Sequence, residues 1–518
     1  MKEIIKMAKA LMVQGTGSGA GKSLIVAALC RIFRDKGINV APFKAQNMAL
    51  NSAITRDGGE MGRAQVLQAE AARVEPTVDM NPILLKASGD MGSQVIIHGK
   101  IHASMKAREY YAFKQTAWKS VKESFDRLSK QYDLIVLEGA GSPAEINLMD
   151  VDIVNMAVAK YAKAPVLLVG DIEKGGVFAS LFGTVKLLGR QSRHIKGFII
   201  NKFRGDPAIL KLGLDMIYEK TGKPVIGVLP YIYDIGLPEE DGLGLQHARQ
   251  GSGCNSAGSQ IKVVVVRLPF ISNFTDFDPL RYEPDVELFY SANPADIENA
   301  DIVIIPGSKN TVKDLLFLKE RGLDTNIKRA HAKGIQIIGM CGGYQMLGKR
   351  ISDPYAVESS HETVDGLGLL DVETTFGKEK VTCQVEAELI DYAVIGGKGG
   401  TGPLLQLCGY EIHMGESEGD IGVFRIRRLP LDSRRTTHDG FILEGSQKEN
   451  CLGTYIHGIF ENDLLRRSIL NMIRTRKGLP PLNDICSYSG IKEKALNALA
   501  GIVSEYADME FIERLAGL

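Results

Sequence analysis

The sequence predicts an α/β protein of two doubly wound domains. Three observations carry this. Short unbroken apolar runs alternate with amphipathic helical stretches along most of the chain. A glycine-rich strand-to-helix turn occurs near each end of that pattern, one closing on Gly21-Lys22-Ser23 and the other centred on Cys341. At 518 residues the chain is also too long for one ordinary hydrophobic core.

The first domain, residues 1–245, has expected strands at Ala10–Val13, Leu134–Leu137, Val166–Val169, Phe198–Ile200 and Val225–Val228, with helices such as Ser23–Lys36 and Phe178–Leu188 between them. Continuous apolar strands separated by helices indicate a mostly parallel sheet covered on both faces. From Asp241 to Gln260 the composition turns to Gly, Ser, Asn and Gln, which predicts a linker at residues 246–260. The rhythm restarts at Val263–Val266, Ile302–Ile305 and Ile335–Gly339, so residues 261–518 form the second domain. A glycine run at Gly396–Gly400 reads as a loop inside it, and beyond Asn462 the pattern becomes a helical extension.

Lys plus Arg and Asp plus Glu are equal at 62 each, which argues against a nucleic-acid partner. No apolar run is long enough for a bilayer span, and the lysine-bearing start lacks the apolar stretch of a signal peptide, so no membrane partner and a cytoplasmic location are expected. Seven cysteines stand singly with no Cys-x-x-Cys pair, against a disulfide framework or structural zinc. The oligomeric state is left open.

The N-terminal turn reads Gly15-Thr16-Gly17-Ser18-Gly19-Ala20-Gly21-Lys22-Ser23. It departs from the usual P-loop, because Thr16 stands where the first glycine is usual and the glycine is Gly15. Its place between a strand and a helix still suits phosphate binding: backbone N–H groups and the helix N-terminus hold oxygens, Lys22 meets the terminal phosphates and Ser23 meets magnesium. ATP and Mg2+ are therefore the expected cofactors. Glu138, at the tip of a buried strand, is a further candidate metal residue, and Asp171 is a second strand-end acid that reads equally as solvated. Asn201 has an amide able to read a purine edge, with a capping role as the competing reading. The glycine-punctuated block Asn47–Gln65 is long and irregular, as functional insertions often are. In it Asp57 and Glu60 offer metal oxygens, while Arg56 and Arg63 offer partners for substrate carboxylates.

Gly339-Met340-Cys341-Gly342-Gly343 follows an apolar strand and predicts a nucleophile elbow. The helix N-terminus there stabilises an anion, Gly342 supplies one oxyanion donor, and Gly307 in Pro306-Gly307-Ser308 lies where a second is needed. His457, in Gly453-Thr454-Tyr455-Ile456-His457, is the expected base. His413 is its rival, and its segment is read as a wall of the site.

On these residues the C-terminal half resembles the class I glutamine amidotransferases, whose cysteine–histidine pair hydrolyses glutamine to ammonia. That family usually has a glutamate two residues after the histidine. Here the position is Ile459, so the resemblance implies a dyad, and Glu461 is not given the role. The N-terminal half resembles the dethiobiotin synthetase-like ATPases, which share the displaced glycine at Gly15-Thr16 and the Glu138-Gly139-Ala140-Gly141 turn and activate carboxylates as acyl phosphates. Nearly the whole chain resembles the cobyric acid synthase family, through blocks at Asn47–Gln65, Asp79–Pro82, Gly92–Val95, Asn201–Asp206, Tyr410–Gly415 and Gly453–Phe460. The resemblance implies a corrinoid, glutamine and ATP as small-molecule substrates, with amidation of the b, d, e and g carboxylates of adenosylcobyrinic acid a,c-diamide. Three alternatives stand beside it. A cobyrinic acid a,c-diamide synthase is disfavoured by the long Asn47–Gln65 block. A partitioning-type ATPase switch is disfavoured by the lack of a lysine at position 17 and by the cysteine elbow. A stand-alone glutaminase is disfavoured by the phosphate loop.

Overall fold

The computed structural model describes residues 7–87, 92–233, 235–238, 261–397, 405–429 and 441–518. The expected linker, residues 246–260, and most of the Gly396–Gly400 run lie outside the described residues. Contacts divide the chain into two units. The first comprises Met1–Ala49, Glu60–Asp241 and Gly490–Leu518, and the second Leu50–Gly59 and Gly242–Ser489.

Unit 1 is built on a six-stranded sheet in the order Val225–Pro230, Ile195–Phe203, Val166–Asp171, Lys9–Gly15, Leu134–Glu138, Val40–Phe43. Every pairing in it is parallel. Strand order reverses beside Lys9–Gly15, and such switch points are where open α/β sheets bind ligands at their strand C-termini. The loop leaving that strand is the phosphate loop, which leads directly into the helix Lys22–Asp35.

The core of unit 1 also includes Ala495, Leu496, Leu499, Val503, Ile512 and Ala516. This corrects the expected second domain, whose helical extension was to reach residue 518. The helix Tyr488–Tyr506 contributes most of its length to unit 1, and the guanidinium of buried Arg31 bonds to Glu493 at 2.7 Å and to Asn497 at 2.9 Å. An amphipathic helix announces its apolar face but not which sheet will cover it.

Unit 2 has a six-stranded sheet in the order Val286–Ser291, Ile261–Val266, Ile302–Ile305, Gln336–Met340, Cys451–Thr454, Ser446–Lys448. Its pairings are parallel except for the last. A second sheet is built around the long antiparallel pair Val372–Leu389 and Gln406–Gly419. Cys341 leaves the end of the strand Gln336–Met340, and the neighbouring strand Cys451–Thr454 delivers the chain to His457.

Candidate active sites

In unit 1 the phosphate loop is held ready by its own neighbours. Gly21 caps the helix at φ 95°, and a Cβ there would meet the Asn201 amide at 2.1 Å, so only glycine fits. Lys22 Nζ donates to the carbonyls of Gly17 at 2.9 Å and Gly141 at 3.3 Å. Asn201 Nδ2 donates to the Ala20 carbonyl at 2.9 Å, and Lys202 Nζ to the Gly19 carbonyl at 2.7 Å and to Asp171 at 2.9 Å. Asn201 thus spends one of its amide protons on fastening the loop, and Asp171 is one half of an ion pair rather than a solvated acid. Ser18 is exposed at the loop's outer turn, while the Thr16 N–H is used on the Val169 carbonyl at 2.9 Å.

Glu138 is 2% exposed at its strand tip. It accepts from Ser23 Oγ at 2.8 Å and Gln68 Nε2 at 2.5 Å, and pairs with Lys44 Nζ at 2.9 Å. Lys44 and Gln68 escaped the sequence reading because each sits in its own segment, without the glycine pattern that marks the loop. A hydroxyl and a carboxylate side by side next to a phosphate loop are the hard oxygen donors magnesium takes along with phosphate oxygens and water. Among the described residues no group of three His, Cys, Asp or Glu could hold a metal by itself.

The other expected residues of the Asn47–Gln65 block are not gathered there. Asp57 accepts the Thr55 hydroxyl at 2.5 Å, and it and Arg56 are exposed in the Leu50–Gly59 segment of unit 2. Glu60 is buried in an ion pair with Lys86, and Arg63 is the half-buried first residue of the helix Arg63–Ala72.

In unit 2, Cys341 sits at φ 52° and ψ −109°, a strained conformation for a residue with a Cβ, and caps the short helix Gly342–Leu347. Such strain in a strand-to-helix turn is the mark of a nucleophile elbow. A Cβ on Gly343 would fall 1.9 Å from the Ile305 carbonyl, so the close approach of the helix's first turn to the end of the strand Ile302–Ile305 requires glycine. The Gly342 N–H is one of those a helix leaves without an internal acceptor, and its Cα side faces the Ser308 N–H, with an added Cβ meeting it at 3.1 Å. Gly307 lies beside His457, whose Cε1 would be 3.5 Å from a Cβ there, and its carbonyl takes the Ser272 N–H at 2.9 Å. The turn is pinned by Asp314, which accepts from Ser308 Oγ at 2.6 Å and the Phe270 N–H at 3.2 Å. Burial raises the Asp314 carboxyl to about 6, against the opposing effect of those hydrogen bonds.

His457 is 1% exposed, and its Nδ1 lies 2.6 Å from Asp276 Oδ2. Asp276 also accepts the Gly458 N–H at 3.3 Å. Burial works against a charged imidazole, but Asp276 and then Cys341 outweigh it and bring His457 up to about 10. Its Nε2 makes no hydrogen bond of ordinary geometry, and the Cys341 thiol donates to the Ile412 carbonyl at 3.5 Å. Where the resemblance implied a histidine without an acid, the structure sets Asp276 on it. The acid lies 181 residues before the histidine, so no local spacing could reveal it. A polar-rich stretch, Ser272–Asp278, in the connection after the strand Ile261–Val266 was the available signal. His413 bonds through Nδ1 to the Gly415 carbonyl at 2.6 Å and stacks on Tyr455 at 3.8 Å. Its Nδ1 and its ring face are thus both engaged away from Cys341.

Residues 11–244 match the CobQ/CobB/MinD/ParA nucleotide binding domain, and residues 262–465 the CobB/CobQ-like glutamine amidotransferase domain. A cobyric acid synthase of Thermodesulfovibrio yellowstonii is 49% identical over 99% of this chain and 100% of its own length. The chain belongs to the cobyric acid synthase family. Further members from Caldanaerobacter subterraneus subsp. tengcongensis, at 48% identity over 98% of this chain and 99% of the relative, and from Syntrophobacter fumaroxidans, at 47% over 99% and 100%, match over the same span. Membership of this family makes the chain a glutamine-hydrolysing, ATP-using ligase, and the switch ATPase is not favoured. No helix among the described residues is long and apolar enough to cross a membrane.

Proposed function

We propose that this chain makes adenosylcobyric acid by amidating the b, d, e and g carboxylates of adenosylcobyrinic acid a,c-diamide, spending ATP and glutamine, in the cytoplasm. The observation that carries the nitrogen half of this reading is the buried His457–Asp276 pair, in electrostatic reach of Cys341 at its strained elbow.

Asp276 holds the proton on Nδ1, so Nε2 accepts the thiol proton as the Cys341 sulfur attacks the glutamine carboxamide. The oxyanion that forms is met by the N–H groups at Gly342 and the Gly307–Ser308 turn. The imidazolium returns the proton to the departing nitrogen, ammonia leaves, and water then cleaves the thioester to glutamate. In unit 1 a carboxylate oxygen of the corrinoid attacks the γ-phosphorus of ATP held by Gly15–Ser23, and ADP departs. Lys22, released from the Gly17 and Gly141 carbonyls, offsets charge on the transferred phosphoryl group. Ser23 and Glu138 would hold magnesium, which supplies further neutralisation of phosphate charge. Ammonia attacks the acyl phosphate carbon and phosphate leaves, a step impossible on a free carboxylate because oxide is so poor a leaving group. Arg56 and Arg63 are proposed to meet the corrinoid's carboxylates.

Mass spectrometry of the corrinoid product, with ATP and glutamine supplied, tests this directly. The expected series exchanges one hydroxyl for one amine at a time at all the named carboxylates. Amidation confined to the a and c positions would replace this reading with the diamide synthase.

A further inference from the structure

The cysteine elbow and the Gly307–Ser308 turn share a neighbour that the chemistry above leaves unused. A Cβ on Gly342 would fall 3.0 Å from Thr311 Oγ1 and 3.1 Å from the Ser308 N–H, so Thr311 stands directly beside the elbow. Thr311 opens the helix Thr311–Glu320, and its N–H donates to Glu358 Oε2 at 2.7 Å. Glu358 is thus joined to the elbow through a single residue. The loop that carries it is firmly held. Asp353 accepts the N–H groups of Val357, Glu358 and Ser359 at 2.7, 2.8 and 3.0 Å, and Asn310 Nδ2 donates to the Glu358 carbonyl at 3.1 Å.

The other acids around this turn are fully occupied. Asp276 lies on His457, and Asp314 has one oxygen on the Ser308 hydroxyl and the other on the Phe270 N–H. Glu358 differs, because its carboxylate draws its neutral partners from Thr311 alone. No lysine, arginine or histidine among the described residues stands within ion-pair distance of it, and Lys309 acts on it from farther away. The residue is half-buried. Burial lifts its carboxyl to about 7, against the lowering effect of the Thr311 N–H. An acid drawn out of water without a cation is costly unless a ligand brings one. Capping the helix does not account for it. Asn310 already caps that end, its Oδ1 accepting the Lys313 N–H at 3.0 Å, and a neutral side chain would serve the Thr311 N–H as well.

Free glutamine brings such a cation. Its side chain ends in the same –CO–NH2 group as each carboxamide that the ligase makes, so a thiol and an oxyanion turn cannot by themselves tell nitrogen donor from product. Glutamine also carries an α-ammonium group, which the product's side-chain amides lack. A site with a fixed acceptor for one substrate group rejects the analogue without it, because the acceptor is then left unpaired. We propose that Glu358 receives the α-ammonium group of glutamine and so confines the Cys341 site to the free amino acid. The proposal rests on the glutaminase reading above and adds the residue that sets its substrate.

Hydrolysis by the full chain tests it, with ammonia release measured from glutamine and from glutaramate, which is glutamine without its α-amino group. Glu358→Gln keeps an oxygen for the Thr311 N–H and removes the charge. Wild type should prefer glutamine by roughly ten- to hundredfold in kcat/KM. In Glu358→Gln the KM for glutamine should rise by about that factor with kcat little changed, because the ammonium contact is made equally before and during attack. Glutaramate hydrolysis should stay at the wild-type rate, which also shows that the elbow is intact, and the preference should collapse toward one. Amidation driven by added ammonium salt should be unchanged. A wild type that treats the two substrates alike overturns the proposal, as does a variant that keeps the wild-type preference, whether it loses both activities or neither. A wild type that releases no ammonia from glutamine overturns the glutaminase reading itself.

Discussion

The two candidate centres differ in how far each is finished before its substrate arrives. In unit 2 the proposed nucleophile Cys341 is already strained, the proposed base His457 already lies on Asp276, and the Gly307–Ser308 turn is already pinned by Asp314. In unit 1 the active groups are engaged with one another: Lys22 lies on the loop's own carbonyls, and Glu138 is occupied by Ser23, Lys44 and Gln68. The difference follows from the chemistry. A thiol attacking a neutral amide needs fixed geometry, whereas a site for a highly charged nucleotide must keep its own charges paired until the ligand replaces those partners.

The largest expected effects break the comparison cleanly in two. Cys341→Ala should lower glutamine-driven amidation by roughly 10⁵-fold or more while leaving ammonia-driven amidation intact. Lys22→Ala should lower amidation from either nitrogen source by roughly a thousandfold and leave basal glutamate release in place. If either variant fails in the other's assay, the division of labour is wrong.

Asp276→Asn comes next, with kcat for glutamate release falling roughly 10³- to 10⁴-fold and KM for glutamine little changed. The same variant carries a pH signature. The folded pKa of His457 lies above its ordinary value, so the stabilisation from its pairing with Asp276 is complete below about pH 6.5 and fades as pH rises through about 10. Denaturant unfolding should therefore show the variant's deficit large at pH 6 and shrinking toward pH 10. A deficit that grows with pH would contradict the pairing.

In unit 1, Asn201→Ala removes the fastener of the Ala20 carbonyl. The KM for ATP should rise roughly tenfold, the equivalent of about 1.4 kcal/mol, with glutaminase untouched. An unchanged KM would show that the loop needs no such support. Smallest is Arg31→Met, which should cost about 1–3 kcal/mol of stability with both activities retained per folded molecule. Loss of glutaminase in that variant would mean that the C-terminal helices serve more than the core of unit 1.

What the sequence made legible was local. Phosphate loop and cysteine elbow are runs of adjacent residues whose glycines are demanded by backbone geometry, and the apolar strands match the two sheets closely. Three things were hidden. Asp276 meets His457 only because folding brings the turn Phe274–Phe277 onto the segment that follows the strand Cys451–Thr454, across 181 residues of chain. Lys44 and Gln68 reach Glu138 from separate elements. The block Asn47–Gln65, read as one piece, divides between the units, because its polar middle finds hydrogen-bond partners in unit 2 while Glu60 is buried against Lys86 in unit 1. Each is decided by pairing in three dimensions rather than by a pattern along the chain.

The segment Leu50–Gly59 and the returning C-terminal helices mean that each unit is completed by a piece of chain from the other half of the gene. Dividing the coding sequence near residue 245 would yield two polypeptides, each lacking a part of its own body. The first would carry Leu50–Gly59 with no sheet to receive it, and the second would carry Gly490–Leu518 with its apolar face bare. Separate expression should give poorly soluble halves, and co-expression a reassembled pair. Each half of the chain is thus required for the other to fold.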